Sequence, residues 1–528
     1  MDMRIFAPAP DEDIFSYGPP ENFELHGKSF SAEFDSGERV NLEFPASNGS
    51  QCMKIKDAIW LVVTKPPQPA AVFVVDLEAS MVTRAVASTA GGFELSFGVL
   101  DGASGNLHKL TDDLAGNTVE WTLGMNKASL FEVFYRAQDA VLTCPLLPDI
   151  PSLCAEHLRV AKITDTVYLQ TAVITGGQAP VPVCMLSDFH RVLCVGCAIM
   201  SDGAARLIGG HGLYPKDRKF KAQDTASGAI GIDLHTLSPF GNVSIYQYLP
   251  PSCFELAGQT IKLIMDDGYD FTLNFLDNET LEWNFAGKTP AAAQYMCVKA
   301  DNTTYLLNYE LTGIKPRANH TFVIDFEKML VTRMISRIGT NPRWPYLMKT
   351  DFEFGAIDDG SEYKTYPRHG FTSDLIGTIA QWQYASEMTT LHAYHCSDFY
   401  RLTHARDRVP SKEEAVENYA FTDFQSKLPS TDEPTNYVKI KDGMYLVSIT
   451  EKNGEKLLGS KMVFRSNTLC FLQNYKRGYV VSRGFGTSTL QDGTDTETNN
   501  IIGAYGRAIE ASDDELKALL TDPNPYLV

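Results

Sequence analysis

Along most of the chain, hydrophobic and polar residues alternate over short runs that break at Asp, Gly, Asn or Pro. The stretch from Thr260 shows the pattern best: TIKLIM, DDG, YDFTLNF, LDN, TLEWNF, AGK, AAQYMCVKA, DN, TTYLLNYEL, KPRAN, HTFVIDF, VTRMISRI. A period of two puts successive side chains on opposite faces, so each run is a strand with one buried face and each break a turn in an antiparallel meander. Helices are few. SDDELKALLTDP can be capped by Ser512 or Asp513 and carries an apolar stripe of Leu516, Leu519 and Leu520. PSKEEAVENYAF is a second, weaker candidate.

The pattern is written twice. HKLTDDLAG, from His108 to Gly116, returns as HGFTSDLIG, from His369 to Gly377. On the N-terminal side FELHGKSFSAEF matches FELAGQTIKLIM, FVVDLEASMVTR matches FVIDFEKMLVTR and FGVLDG matches FGAIDDG. On the C-terminal side LAGNTVEW matches LIGTIAQW, and KITDTVYL matches KIKDGMYL, all in the same order. KIKDAIWLVV, starting at Lys54, is a fainter echo of KIKDGMYLVS within the quarters. The reading is a tandem duplication of two halves meeting near YLPPS, with up to four barrel modules at 20–103, 104–248, 249–360 and 361–528. A meander of about eight strands avoids exposed edges by closing on itself, so the expected class is all-β, with lipocalin-like antiparallel barrels. The insert CPLLPDIPS and the polar stretch Arg406 to Thr435 read as loops or lids over barrel mouths.

A length of 528 residues exceeds what one core serves. The formal charge of -19, with no basic cluster longer than YPKDRKFK, argues against nucleic acid or an anionic membrane surface as partner. The N-terminus lacks the basic start and apolar run of a signal peptide, and no stretch is long and apolar enough for a spanning helix, which points to a cytoplasmic protein. Ten scattered cysteines fit reduced thiols, and the Cys184, His190, Cys194, Cys197 group is a poor zinc site because Cys194 and Cys197 lie on opposite faces of one strand. Walker A, GxGxxG, HExxH and GxSxG motifs are absent, so no cofactor is expected.

The residues LAGQTIKLIMDDG, TFVIDFEKMLVTR, RHGFTSDLIG, QWQYASEMTTLHAYHCSDFYRL and NYVKIKDGMYLVS resemble the MoaF-like family, named after molybdenum-cofactor biosynthesis protein F. The resemblance implies paired N- and C-terminal calycin-like barrels, here as two MoaF-like halves. It covers most of 254–510 and, more weakly, 23–200. The family name does not fix a function.

Candidate chemistry follows from playing the copies against each other. Counting from the shared glycine, Trp121 falls on Trp382, Phe131 on His392 and Val133 on Tyr394. His392 and Tyr394, two apart in a strand, share a face; pointed into an apolar barrel they supply a proton acceptor and a donor, and are the catalytic candidates. Arg368, His369, Tyr400 and Trp382 are the substrate-binding candidates, Arg368 because a guanidinium orients a carboxylate or enolate. The first copy has Leu107 at the Arg368 position and lacks the histidine-tyrosine pair, which assigns the working site to the second half and makes the first structural or drifted. Simpler readings stand beside these. His108 and His369 can bond within their turns, His392 and Tyr394 can be a satisfied polar pair, and Trp60 and Tyr445 can be core.

Two functions compete. One is a cofactor-independent enzyme, of lyase, isomerase, decarboxylase or cyclase type, acting on a small apolar or aromatic metabolite. The other is a non-catalytic carrier of such a molecule, and an assembly role through the duplicated surfaces, including homo-oligomerisation, ranks behind both.

Overall fold

The computed structural model describes residues 6–8, 13–44, 50–64, 71–88, 92–125, 129–136, 139–143, 153–177, 179–214, 232–238, 245–285, 288–339, 343, 347–361, 367–386, 388–404, 430–451, 462–490 and 492–521. The chain forms two compact units, Ala9–Gly241 and Asn242–Val528 with Met1–Pro8. The protein is almost entirely antiparallel β-structure, as the alternating pattern requires.

Within Ala9–Gly241, the first sheet has seven strands, from Ser29–Phe34 to Phe93–Leu100, ending on Arg39–Glu43 at one side and Gln51–Lys56 at the other. Its core gathers Leu25, Phe34, Trp60, Val62, Phe73 and Val82. The second sheet runs from Lys109–Leu110 to Ala205–Leu213, and the pairing of Asp139–Thr143 with Leu153–Lys162 returns it on itself.

Within Asn242–Val528, the strands from Thr260–Met265 to Met348–Ile357 form a closed barrel. Its interior holds Phe271, Trp283, Tyr309 and Phe322. The last sheet runs from Gly370–Phe371 to Asp495–Ile509 and closes where Ser430–Lys441 pairs with Met444–Glu451.

Paired contacts make the duplication physical. Glu24 takes the ammonium of Lys54 at 2.9 Å, and Glu255 takes that of Lys299 at 3.0 Å. Tyr168 donates to Asp113 at 3.0 Å, and Tyr445 donates to Asp374 at 3.1 Å. Thr111 and Thr372 each accept the backbone N–H two residues on, at 3.2 and 3.1 Å, so the aspartate of the repeated motif organises a turn and takes a tyrosine from the neighbouring strand.

The C-terminal helix is Asp514–Leu520, with Asp513 accepting the N–H of Leu516 at 3.0 Å as its cap. Its Leu519 packs on Ile379, Leu391 and Ala393. Leu391 and Ala393 therefore point out of the last barrel, and His392 and Tyr394 point in. Two expected loop features meet the structure differently. The insert at 144–152, the candidate helix at 410–421 and the polar stretch to 429 lie outside the described residues, whereas Ser430 to Thr435 belong to the strand Ser430–Lys441 rather than to a loop.

Candidate functional site: the lumen of the last barrel

Strand register sets what lines this lumen. Trp382 lies opposite Thr390, Ala380 opposite His392, and Tyr400 opposite Glu433. Tyr445 lies opposite Gln473, Val447 opposite Phe471 and Glu451 opposite Asn467. Directly opposed residues share a face, and the buried cluster of Trp382, Tyr384, Tyr394, Tyr400, Tyr437 and Phe471 identifies that face as the inner one.

One end is sealed. Tyr394 donates to the Gln473 carbonyl at 2.9 Å and receives its amide at 2.7 Å, while Tyr475 donates to the same carbonyl at 2.8 Å. Phe6 closes the bottom, 5.1 Å from the Tyr475 ring and 6.0 Å from that of Tyr445. Burial pushes the Tyr394 phenol up to about 12. With both its donor and its acceptor engaged, this phenol keeps its proton at neutral pH.

Midway along the lumen sits His392, 2% exposed. Its ring centroid is 5.2 Å from that of Tyr400 and 5.3 Å from that of Phe471. Its Nε2 meets the Thr390 hydroxyl at 3.1 Å, and its Nδ1 has no partner. Burial among these rings holds its pKa down at about 3, so the imidazole is neutral at physiological pH.

Toward the other end stand groups that the sequence reading did not single out. Glu451 takes the amide of Asn467, and burial pushes its carboxyl up to about 7. The Tyr384 hydroxyl is buried with no partner, and burial and then the neighbouring charges push its pKa up. Glu433 is fully buried on the same inner face. The signal for both carboxylates was positional, since each sits an even number of residues from inward apolar side chains: Glu451 from Val447 and Ile449, Glu433 from Tyr437.

The six candidates read from the sequence divide. His392, Tyr394, Tyr400 and Trp382 come together in this lumen. Arg368 and His369 do not join them. His369 is buried against the neighbouring barrel, with Nδ1 at 2.8 Å from the Thr332 hydroxyl and Nε2 at 3.8 Å from Asp325. His108 repeats this with Thr83 at 2.8 Å and Asp76 at 3.7 Å, so the motif histidine joins consecutive modules in both halves. Arg368 reaches Asp266 at 3.1 Å and borders a surface cleft of about 750 Å³ with Glu327, Lys328, Phe371, Lys439 and Lys441. Lys439 there is paired with Asp374, and Lys441 with Asp301 and Glu327.

Register also corrects the comparison of the copies. Trp121 lies opposite Leu130 and Trp382 opposite Thr390, so the hairpin of the first copy is one residue longer. The counterparts of His392 and Tyr394 are therefore Glu132 and Phe134, not Phe131 and Val133. Glu132 is buried, accepts the Trp121 indole N–H at 2.9 Å, and is pushed by burial up to about 7. With histidine at this position in the last barrel, the Trp382 indole N–H finds no acceptor in hydrogen-bonding geometry.

Among the described residues no group of three or more His, Cys, Asp or Glu is placed to hold a metal ion, and no helix is long and apolar enough to cross a membrane. The fold and this lumen define a class: tandem antiparallel β-barrels with an aromatic, partly polar interior. The family model for the MoaF N-terminal domain matches residues 236–340, so this stretch, which carries most of the closed barrel, is similar to a MoaF N-terminal domain, the family its motifs resemble. No curated protein matches the chain.

Proposed function

We propose that the last barrel encloses a small, largely apolar or aromatic molecule and moves a proton on it without a cofactor, as a lyase- or isomerase-type enzyme of specialised metabolism. One observation carries the reading: the buried Nδ1 of His392 and the buried hydroxyl of Tyr384, both without partners, face the same lumen as Glu451. Buried polar groups are almost always satisfied, and unsatisfied ones converging on one interior are what a bound molecule would complete. Glu451 is the proton carrier in this reading, because a carboxyl titrating near 7 both takes and gives a proton at neutral pH. His392, neutral at that pH, orients the molecule or donates a hydrogen bond, and Tyr394 fixes the floor through Gln473. Free thiols throughout the described residues support a cytoplasmic setting.

The test is native mass spectrometry of the full chain purified from the cells that make it, with Tyr384→Phe, His392→Ala and Glu451→Gln in parallel. A co-purifying organic molecule that Tyr384→Phe and His392→Ala release names the chemical class to assay. Glu451→Gln then retains the molecule but abolishes its turnover. If Glu451→Gln turns the molecule over at the wild-type rate, the acid-base role is wrong and a non-catalytic carrier remains.

A further inference from the structure

Two buried polar edges of the last barrel call for the same kind of partner. The Thr390 hydroxyl is buried, and among the described residues its one hydrogen bond is with His392 Nε2, at 3.1 Å. A hydroxyl that only accepted there would leave its own proton without an acceptor, so it donates, and Nε2 is the unprotonated nitrogen. Because burial keeps the ring neutral, the one ring proton sits on Nδ1, and the unpartnered edge of His392 is an N–H donor. The Tyr384 phenol, its pKa raised by burial, also keeps its proton and has no acceptor.

Topology sets these donors against a carboxyl. Tyr384 and His392 belong to the paired strands Thr378–Ala385 and Met388–Tyr394, and Glu451 and Phe471 to the paired strands Met444–Glu451 and Met462–Asn474. Asp495–Ile509 and Tyr479–Leu490 separate the two pairs on one side, and Phe399–His404 and Ser430–Lys441 on the other, so the pairs face each other across the barrel. Counted from the floor, Tyr384 lies three inward positions beyond Thr378, and Glu451 three beyond Tyr445. Both donor rings border one aromatic plate, since Phe471 lies 5.3 Å from His392 and 6.5 Å from Tyr384. Donors on one wall and a carboxyl on the other fit a guest that has an acceptor at one point and an acidic hydrogen at the next.

We propose that the molecule held in the last barrel is a ketone with a hydrogen on the carbon beside its carbonyl, its oxygen accepting from His392 Nδ1–H with the Tyr384 hydroxyl as second donor, and that carbon turned toward Glu451. The inference rests on the reading of this lumen as a small-molecule site and adds the substrate class and the step. The Glu451 carboxylate takes the proton as the C–H bond breaks. The electron pair of that bond forms the C=C bond of the enolate, and the carbonyl pair moves to the oxygen that the donors hold. In a β,γ-unsaturated ketone, return of the proton from Glu451 to the γ-carbon shifts the double bond, with nothing oxidised or reduced. An ammonium could not accept either donated hydrogen, and a carboxylate would bring a second negative charge toward Glu451.

Acetophenone, α-methylstyrene, which has the same shape without the oxygen, and benzoate test it, titrated into the full chain by calorimetry at about pH 8. Exchange of the acetophenone methyl hydrogens in heavy water is followed by NMR. Acetophenone is expected to bind about tenfold tighter than α-methylstyrene, and benzoate more weakly than acetophenone. Exchange should outpace that in buffer and rise as pH passes about 7, where Glu451 ionises. Tyr384→Phe removes only an unpartnered hydroxyl, which spares the fold, and should slow exchange about 100-fold. Glu451→Gln should bind acetophenone and not exchange it. Nitrogen NMR of histidine-labelled protein should find the His392 proton on Nδ1. A proton on Nε2, a ketone bound no tighter than the hydrocarbon or the benzoate, or bound ketone exchanging only at the buffer rate would overturn the inference. Binding that Tyr384→Phe still weakens would then leave the lumen as a site. If none of the three binds, the lumen is not a ligand site and both readings fall.

Discussion

Replacing Glu451 with glutamine isolates what the lumen does to its carboxyl. Burial raises this group from 4.5 in the unfolded chain to about 7 in the barrel. Below pH ~4.5 the carboxyl is protonated in both states and costs nothing. As pH rises from ~4.5 to ~7 the unfolded chain ionises first, so stability falls, and above ~7 the loss is complete. At about 1.4 kcal/mol per pH unit, the gap amounts to about 3 kcal/mol. Glutamine has the same shape, keeps an oxygen for the Asn467 amide and cannot ionise. The variant should match wild type at the acid end and exceed it by about 3 kcal/mol at pH ~8. Urea denaturation across that range, with amide exchange of Met444–Glu451 to report on this barrel alone, gives the difference. A difference that is the same at both ends of the range would refute the argument, because it would mean that the carboxyl titrates alike in the folded and unfolded chain.

Glu132→Gln should give the same pH-dependent gain in the second module, because its carboxyl is raised to about 7 for the same reason. Trp121→Phe and Trp382→Phe remove similar volumes, but only the first breaks an indole bond to a buried glutamate, so denaturation should show Trp121→Phe more costly by about 1–3 kcal/mol. Gly506→Ala should cost more than about 3 kcal/mol and shift tryptophan fluorescence. A Cβ there would lie 1.9 Å from the Gln381 carbonyl and 2.6 Å from the Trp382 ring. Tyr445→Phe should cost about 1 kcal/mol by melting temperature, since it deprives Asp374 of one donor while Lys439 still holds it.

The fold was legible wherever one strand face is apolar and the other wet. TIKLIM and YDFTLNF show that alternation, and both are strands of the closed barrel. Legibility failed at STDEPT, where Thr431 and Glu433 face the lumen and Asp432 faces Arg401 outside. With polar residues on both faces no period survives, and the stretch reads as a loop. His392 was found because counting from the shared glycine set it, with Tyr394, against apolar residues of the first copy, and its neighbours Leu391 and Ala393 pack on the outer face as that reading needs. Glu451 was missed because it ends MYLVSITE, where a charge looks like the start of a turn. Arg368 stands beside the motif histidine in sequence, but the histidine is stapled to Thr332 and Asp325, which leaves the arginine at the surface.

The one-residue difference between the hairpins changes what the duplication means. Counting from the glycine set His392 against a phenylalanine, which made the first copy look emptied of chemistry. Register sets it against Glu132, a buried carboxyl that titrates near neutrality and is held by the indole whose counterpart in the last barrel is left without an acceptor. Each half therefore keeps a titratable side chain at the same point of its barrel, bonded to tryptophan in one and satisfied at only one of its two nitrogens in the other. A carboxyl already bonded inside its own barrel has less to offer a guest than an imidazole with a bare nitrogen. In the first copy the bond is closed by the protein, and in the second it is left open beside Tyr384 and two carboxylates. That asymmetry, more than the presence or absence of any one residue type, is the reason to look for the ligand in the last barrel.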